Sequence, residues 1–266
     1  MSRREKVDQF RKLHQGPGIL VLPNASDVAS ARIFEEAGFS AVATSSAGVA
    51  YALGYPDGQR ISRNEMIAMV KRIAEALKIP VTADMEAGYG DPVATAEGVV
   101  EAGAVGMNLE DVIDENAGTL VDLDKQVRII EQIRAKTDLV INARTDIFLA
   151  GVGEPGTRFE RTVERLNAYR KAGADCLFAP GVRDAETIGK LTSAVNGPLN
   201  ILASVGALPV GELEKLGVRR VSIGSGPMRA AMGLMQRVAK ELRDKGTYSA
   251  MTEGAMSYAD ANRLFS

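Results

Sequence analysis

The stretch IPVTADMEAGYGDPVATAEGVVEAGAVGMNLED, residues 79–111, holds one complete repeat of this chain's pattern. It opens on an apolar, β-branched run over 79–85, the length of a buried strand. Asp84 and Glu86 then stand two residues apart, and the chain passes into Gly-Tyr-Gly-Asp-Pro. A helical pattern over 92–102 follows, and a glycine within "EAGAVGM" stops it. The next apolar run, "VGMNLED" over 105–111, reads as a second strand. Two buried strands joined through a helix make a parallel βαβ unit.

Working outward, the same order recurs. Strand candidates lie at 18–23, 40–44, 79–85, 105–111, 139–145, 174–180, 198–204 and 219–224. Helical patterns alternate with them at 27–37, 62–77, 92–102, 124–136, 158–172, 184–194, 209–216 and 227–244. "EAGFSAV", "KAGADCL" and "EKLGVRRV" repeat the glycine stop. Eight such units predict an α/β fold of the (β/α)8 TIM-barrel kind, as one domain over 1–266. An open doubly wound sheet is the weaker alternative, because no GxGxxG follows an early strand. Residues 245–266 read as a loop and a short helix outside the eight units.

Composition narrows the function. The 266 residues are 45% hydrophobic and 25% charged, with a net charge of −2. That balance supports a sizeable core and gives no electrostatic reason to expect nucleic acid or an anionic membrane. The charged N-terminus lacks a following apolar run, and no segment has the length of a membrane span. The lone Cys176 rules out an intrachain disulfide and points to a reducing cytoplasm. The lone His14, in an N-terminal helical stretch, is expected to be a surface or packing residue. A Cys/His zinc site or a Ser-His-Asp triad would have to be built on it.

In such barrels the chemistry sits where strands end. Asp57 lies in the loop after the second strand, Asp84 and Glu86 end the third, Glu110 and Asp111 the fourth, and Arg144 and Asp146 the fifth. Asp57, Asp84, Glu86 and Glu110 form an oxygen-only set suited to Mg2+ or Mn2+. Asp27 reads as a helix N-cap, and Asp111 and Asp146 serve equally well as loop caps. Arg144 is either an ion pair holding the barrel or a clamp for an anionic substrate or enolate. "SSAG" (45–48) and "GSGP" (224–227) are both candidate anion cradles. No strand end carries lysine, which argues against a Schiff-base aldolase. Metal-assisted chemistry on a 2-oxo acid remains, with the cation chelating carboxylate and ketone oxygens.

"LPNASDVASARIFEEAGF", "ATSSAG", "GYPDG", "ADMEAGYGD", "AGAVGMNLED" and "NARTD", in that order, resemble the isocitrate lyase/phosphoenolpyruvate mutase superfamily over nearly the whole chain. The resemblance implies a barrel whose last helix swaps onto a neighbouring subunit, in dimers or tetramers. It implies Mg2+ held directly by Asp84, with Asp57, Glu86 and Glu110 reaching it largely through water. It also implies that the amides of Ser45, Ser46, Ala47 and Gly48, with the Arg144 side chain, bind the carboxylate end of the substrate. Where the family usually has Asp, this chain has Glu86.

The departure lies after the fourth strand. "VIDENAGTLVDLDKQ" (112–126) lacks the cysteine-bearing signature of isocitrate and methylisocitrate lyases, and only Asn116 matches the mutase sequence there. The chain resembles the cysteine-free branch that includes oxaloacetate decarboxylase-like enzymes. The expected activity is a Mg2+-dependent carbon–carbon lyase acting beside a 2-oxo acid, with Tyr89 as candidate proton donor. The alternatives are P–C bond chemistry, as in a phosphonopyruvate hydrolase or mutase, and a 2-oxo acid binding protein without turnover.

Overall fold

The computed structural model describes residues 1–114 and 118–266. Its strands are β1 (Leu20–Leu22), β2 (Asn24–Ala25), β3 (Val42–Thr44), β4 (Val81–Asp84), β5 (Gly106–Glu110), β6 (Val112–Asp114) and β7 (Thr119–Leu120). They continue with β8 (Val140–Arg144), β9 (Cys176–Phe178), β10 (Leu199–Leu202) and β11 (Arg220–Ser222). The helices are α1 (Arg3–Leu13), α2 (Val28–Glu36), α3 (Ser46–Ala52), α4 (Arg63–Ala76), α5 (Pro92–Glu101) and α6 (Leu123–Lys136). After them come α7 (Arg158–Lys171), α8 (Ala185–Ala194), α9 (Val210–Lys215), α10 (Gly226–Lys245), α11 (Ser249–Thr252) and α12 (Tyr258–Arg263).

The barrel closes through its first strand, which Pro23 divides into β1 and β2 because proline has no N–H for the ladder. β1 pairs in parallel with β11, and β2 with β3. The sheet order β1-β11-β10-β9-β8-β5-β4-β3-β2 therefore returns to its starting segment. Asn24 reinforces the seam. Its Nδ2 donates to Thr44 O at 2.8 Å, and its Oδ1 accepts from the amides of Ile223 (2.8 Å) and Gly224 (2.9 Å). The (β/α)8 expectation is met, with every predicted strand and outer helix in place.

Alternation along the strands sorts the side chains. Met107 and Leu109 of β5 pack outward against Val99, Ile130 and Ile133 of the helix layer. Asn108 and Glu110 of the same strand face the interior, where their partners come from other strands. α1 plugs the opposite end: Val7 and Phe10 pack with Leu20, Leu22, Val105 and Val140. A Cβ on Gly106 would lie 2.8 Å from Val140 O and 2.9 Å from the Phe10 ring, so this close approach requires glycine.

His14 is a packing residue. It is buried, with Nδ1 2.8 Å from Phe10 O and Nε2 3.4 Å from Arg220 Nη1. Burial, reinforced by the Arg220 charge, pushes its pKa down to about 4, so the ring is neutral. Arg220 is fully buried, lies over the Phe10 ring, and donates from Nη2 to Asn108 Oδ1 at 3.1 Å. A run of polar side chains therefore passes up the barrel from α1 to the strand ends.

Three elements differ from expectation. Residues 46–52, read as loop, form α3 because Ser45 caps it, its Oγ accepting from Gly48 N–H at 3.2 Å. β6 and β7 form an antiparallel hairpin beyond β5, and the tail holds two short helices. None of the residues of α10 is buried. Among the described residues, no helix is long and apolar enough to cross a membrane.

Candidate active site

Asp84 ends β4, and pairing with β3 and β5 sets its carboxylate at the barrel mouth. Its Oδ2 accepts from Ser46 N–H (3.1 Å) and Ser46 Oγ–H (2.8 Å), while Oδ1 accepts from Asn108 Nδ2 at 3.2 Å. Asn108 is oriented in turn: its oxygen accepts from Asn142 Nδ2 at 2.8 Å and from Arg220. With both donors on the oxygen, the amide NH2 must face Asp84.

Glu86 sits one residue beyond Met85, with φ of 49°. Its Oε2 accepts from Gln59 N–H at 2.7 Å and its Oε1 from the Tyr89 hydroxyl at 2.8 Å. Burial pushes its pKa up to about 7; the Tyr89 hydrogen bond opposes this, and the charges of Asp57 and Asp84 add to it. Burial and the adjacent Glu86 likewise push the Tyr89 phenol above its ordinary range. Asp57 lies on the exposed loop 54–60, close enough for its charge to act on both groups.

The β5–β8 side of the mouth is different. Arg144 Nη1 lies 2.8 Å from Glu110 Oε2, and its Nε 2.8 Å from Asp146 Oδ1. Its guanidinium lies 5.7 Å from the centroid of the Phe178 ring. Burial raises Glu110 well above the ordinary carboxylate range despite the opposing pull of Arg144. Arg144 stays charged, because the surrounding acids outweigh the effect of its burial. Arg144 is thus an ion-paired residue at the end of β8.

Asp111 is structural. Its carboxylate accepts from Asp146 N–H (3.0 Å), Arg165 Nε (2.8 Å) and the Tyr169 hydroxyl (2.6 Å), tying the loops after β5 and β8 to α7. Asp27 caps α2, accepting from Ser30 N–H at 2.7 Å. The 45–48 cradle is partly in use, since Ser46 N–H serves Asp84 and Gly48 N–H serves Ser45. A Cβ on Gly48 would meet Ser26 Oγ at 2.3 Å, so only glycine lets this turn seat. The 224–227 cradle is likewise partly in use: the Gly224 amide donates to Asn24, which closes the barrel, and the Gly226 amide to Ile223 O. Asn116 lies outside the described residues.

The donor chemistry fits a hard cation, since among the described residues the candidate ligands at the mouth are oxygens. Among the described residues, no three His, Cys, Asp or Glu side chains converge as a direct ligand set. Asp84, Glu86 and Glu110 each turn toward donors of the protein instead. Among the described residues, a preformed cage of three or four acidic ligands is therefore not present.

Sequence reasoning missed Asn108, Asn142 and Arg220. The signal was there: Asn108 alternates with Glu110 and Asn142 with Arg144, two residues apart on one face of their strands.

The phosphoenolpyruvate phosphomutase profile matches residues 10–243. The chain belongs to this family. A solved structure from Burkholderia cenocepacia J2315, provisionally described as a lyase/mutase, superposes with a TM-score of 0.91 at 37% identity, covering 99% of this chain and 96% of that one. The 2-methylisocitrate lyase of Halalkalibacterium halodurans is 29% identical over 268 residues, covering 95% of this chain and 87% of that protein. The oxaloacetate decarboxylase of Rhodopseudomonas palustris strain TIE-1 is 28% identical over 266 residues, covering 95% and 90%. These phosphomutase-family relatives are similar along nearly their full length, and the two with named activities agree with the carbon–carbon lyase class expected from the sequence.

Proposed function

We propose that this chain is a carbon–carbon lyase that splits a small 2-oxo or 2-hydroxy dicarboxylic acid beside its 2-position. Oxaloacetate decarboxylation is the first candidate, and retro-aldol cleavage of a 2-alkylmalate or isocitrate-like acid the second. The observation that carries this reading is the division of the mouth. Asp84 and Glu86 line one side, and Arg144, held by Glu110 and Asp146, lines the other.

Asp84 would hold Mg2+ or Mn2+ directly, with Asp57, Glu86 and Glu110 reaching it through water. Such a cation, when bound, chelates carboxylate and ketone oxygens and offsets the negative charge left when the bond breaks. Arg144 is fixed at two nitrogens before any substrate arrives, so it binds a carboxylate with little reorganisation. The amides of Ser45, Ser46, Ala47 and Gly48 are proposed to bind the same carboxylate end. Ser45 N–H donates to Ala25 O, Ser46 N–H to Asp84 and Gly48 N–H to Ser45, so three of the four would have to exchange partners. Tyr89, bonded to Glu86, is the candidate that hands a proton to the carbon left electron-rich.

The test is turnover by the purified protein with Mg2+ on oxaloacetate, 2-alkylmalates and phosphonopyruvate, following pyruvate release and phosphorus NMR. Release of a 2-oxo acid from a carbon substrate, lost in Asp84→Asn, supports the lyase. Release of phosphate or rearrangement of phosphonopyruvate alone replaces it with P–C chemistry. Oxalate binding that needs Mg2+, with no turnover across the panel, replaces it with a binding protein.

The chain is further proposed to assemble as a dimer or tetramer through α10. That helix buries none of its residues, and Met235 (69%) and Tyr258 (87%) stand exposed on this helix and the tail. Light scattering that finds only a monomer would remove this reading. A cytoplasmic setting suits the one thiol, Cys176, which is buried and whose pKa is pushed up to about 11 by that burial.

A further inference from the structure

Among the described residues, three that are not glycine adopt positive φ: Gln59 (55°), Glu86 (49°) and Tyr89 (51°). The left-handed region is disfavoured for residues with a side chain, so it persists only where surrounding contacts hold it. These three lie on two separate loops, yet they form one hydrogen-bonded set. Gln59 N–H donates to Glu86 Oε2 at 2.7 Å, Tyr89 N–H donates to Gln59 Oε1 at 2.6 Å, and the Tyr89 hydroxyl donates to Glu86 Oε1 at 2.8 Å.

The exchange is reciprocal. A side chain from each loop satisfies a backbone amide of the other, as helix capping boxes do within one segment. Gln59 is half-buried, while residues 52–58 before it are exposed. Gly54 (φ 86°) and Gly58 (φ 88°) give that loop the freedom to take other paths. Asp57 stands two residues before Gln59.

We infer that Gln59 is a positioning residue: it clasps loop 54–60 onto the loop after β4 and thereby sets where Asp57 stands relative to Asp84. This rests on the reading of Asp57 as a ligand acting through water. Glycine at position 59 would adopt the same φ without strain. A glutamine there is explained by its side-chain oxygen, which takes the Tyr89 amide.

The test uses the full chain and needs no substrate. Gln59→Met keeps length but removes the acceptor; Gln59→Gly relieves the backbone and also removes it. Hydrogen exchange followed by mass spectrometry reads both loops, and titration with Mn2+ alone, followed by electron paramagnetic resonance, reads the site. Both variants should speed exchange in both loops about threefold to tenfold, the protection one hydrogen bond confers. Both should weaken Mn2+ to the extent that Asp57→Asn does, with no added loss in Gln59→Met/Asp57→Asn. Unchanged exchange in either variant overturns the clasp, and in Gln59→Gly it would show that only backbone conformation matters. If Asp57→Asn leaves Mn2+ affinity intact, the ligand reading of Asp57 falls, and with it the clasp's role at the site, whatever exchange shows.

Discussion

Glu86→Gln should make this protein more stable, and increasingly so as pH rises. The carboxyl has a pKa near 7 in the fold, pushed up chiefly by burial, against 4.5 ordinarily. The sign follows from proton counting. Below pH 4.5 the acid is protonated in both states and costs nothing. Between 4.5 and 7 the unfolded chain ionises while the fold retains its proton, so the penalty grows with pH. Above 7 it is complete, and the gap corresponds to about 3 kcal/mol. The same relation gives about 1 kcal/mol at about pH 5, so wild type should lose about 2 kcal/mol from this group between about pH 5 and pH 8. An amide at this position keeps the shape and both partners, its oxygen accepting from Gln59 N–H and its NH2 donating to the Tyr89 oxygen. Urea denaturation of both proteins with chelator present, at the two pH values, isolates this group because others cancel in the difference. A stability difference that does not change with pH would refute the reasoning. If Glu86 reaches the metal as proposed, the variant should also bind Mn2+ more weakly.

His14 supplies the opposite case. Its folded pKa of about 4 lies below the ordinary 6.5, so the unfolded chain binds the proton more tightly. Its contribution is intact above about pH 6.5 and falls by about 3 kcal/mol as pH drops through 4; His14→Gln should flatten that part of the acid-denaturation curve. Arg144→Lys keeps the charge but not the two-nitrogen fork between Glu110 and Asp146. Its kcat should fall about 100-fold to 1000-fold with circular dichroism unchanged. Arg144→Met leaves Glu110 buried beside no cation, and should lower stability by about 3 kcal/mol at about pH 8, measured by urea denaturation.

Much of this architecture was legible in the sequence because parallel strands are nearly continuous apolar runs and their helices end on glycine. α5 begins at Pro92, where the pattern placed it, and α7 covers Arg158–Lys171 against an expected 158–172. What escaped notice was short or had two readings. β6 and β7 span only three and two residues, below any periodicity. The serines and small residues of 45–48 were taken for a cradle, although Ser45 ahead of "SAGVAYA" is also an N-cap. The roles of Asn24 and Arg220 depend on atoms that meet across the barrel, at sequence separations no local pattern can register.

The site's polarity follows from those long-range partners. Asp84 takes its hydrogen bonds from a backbone amide, a hydroxyl and a side-chain amide; Glu86 takes its own from an amide and a phenol. All five donors are neutral, so they orient the carboxylates without cancelling their charge. On the other side Glu110 and Asp146 share Arg144, and Asp111 is answered by Arg165. The mouth therefore has a face that attracts a cation and a face that presents a fixed one. With the proposed cation held at Asp84, an anion lying between the two faces would meet positive charge on both sides; without it, only Arg144 would attract the anion. Arg220 sits on the Asp84 side but acts through Asn108, so it fixes the amide's orientation rather than pairing with the acid. Had that guanidinium reached Asp84 directly, the face would have lost its charge. The intervening asparagine is what lets one chain bury a cation beneath the site and still keep the carboxylate above it in the company of neutral donors alone.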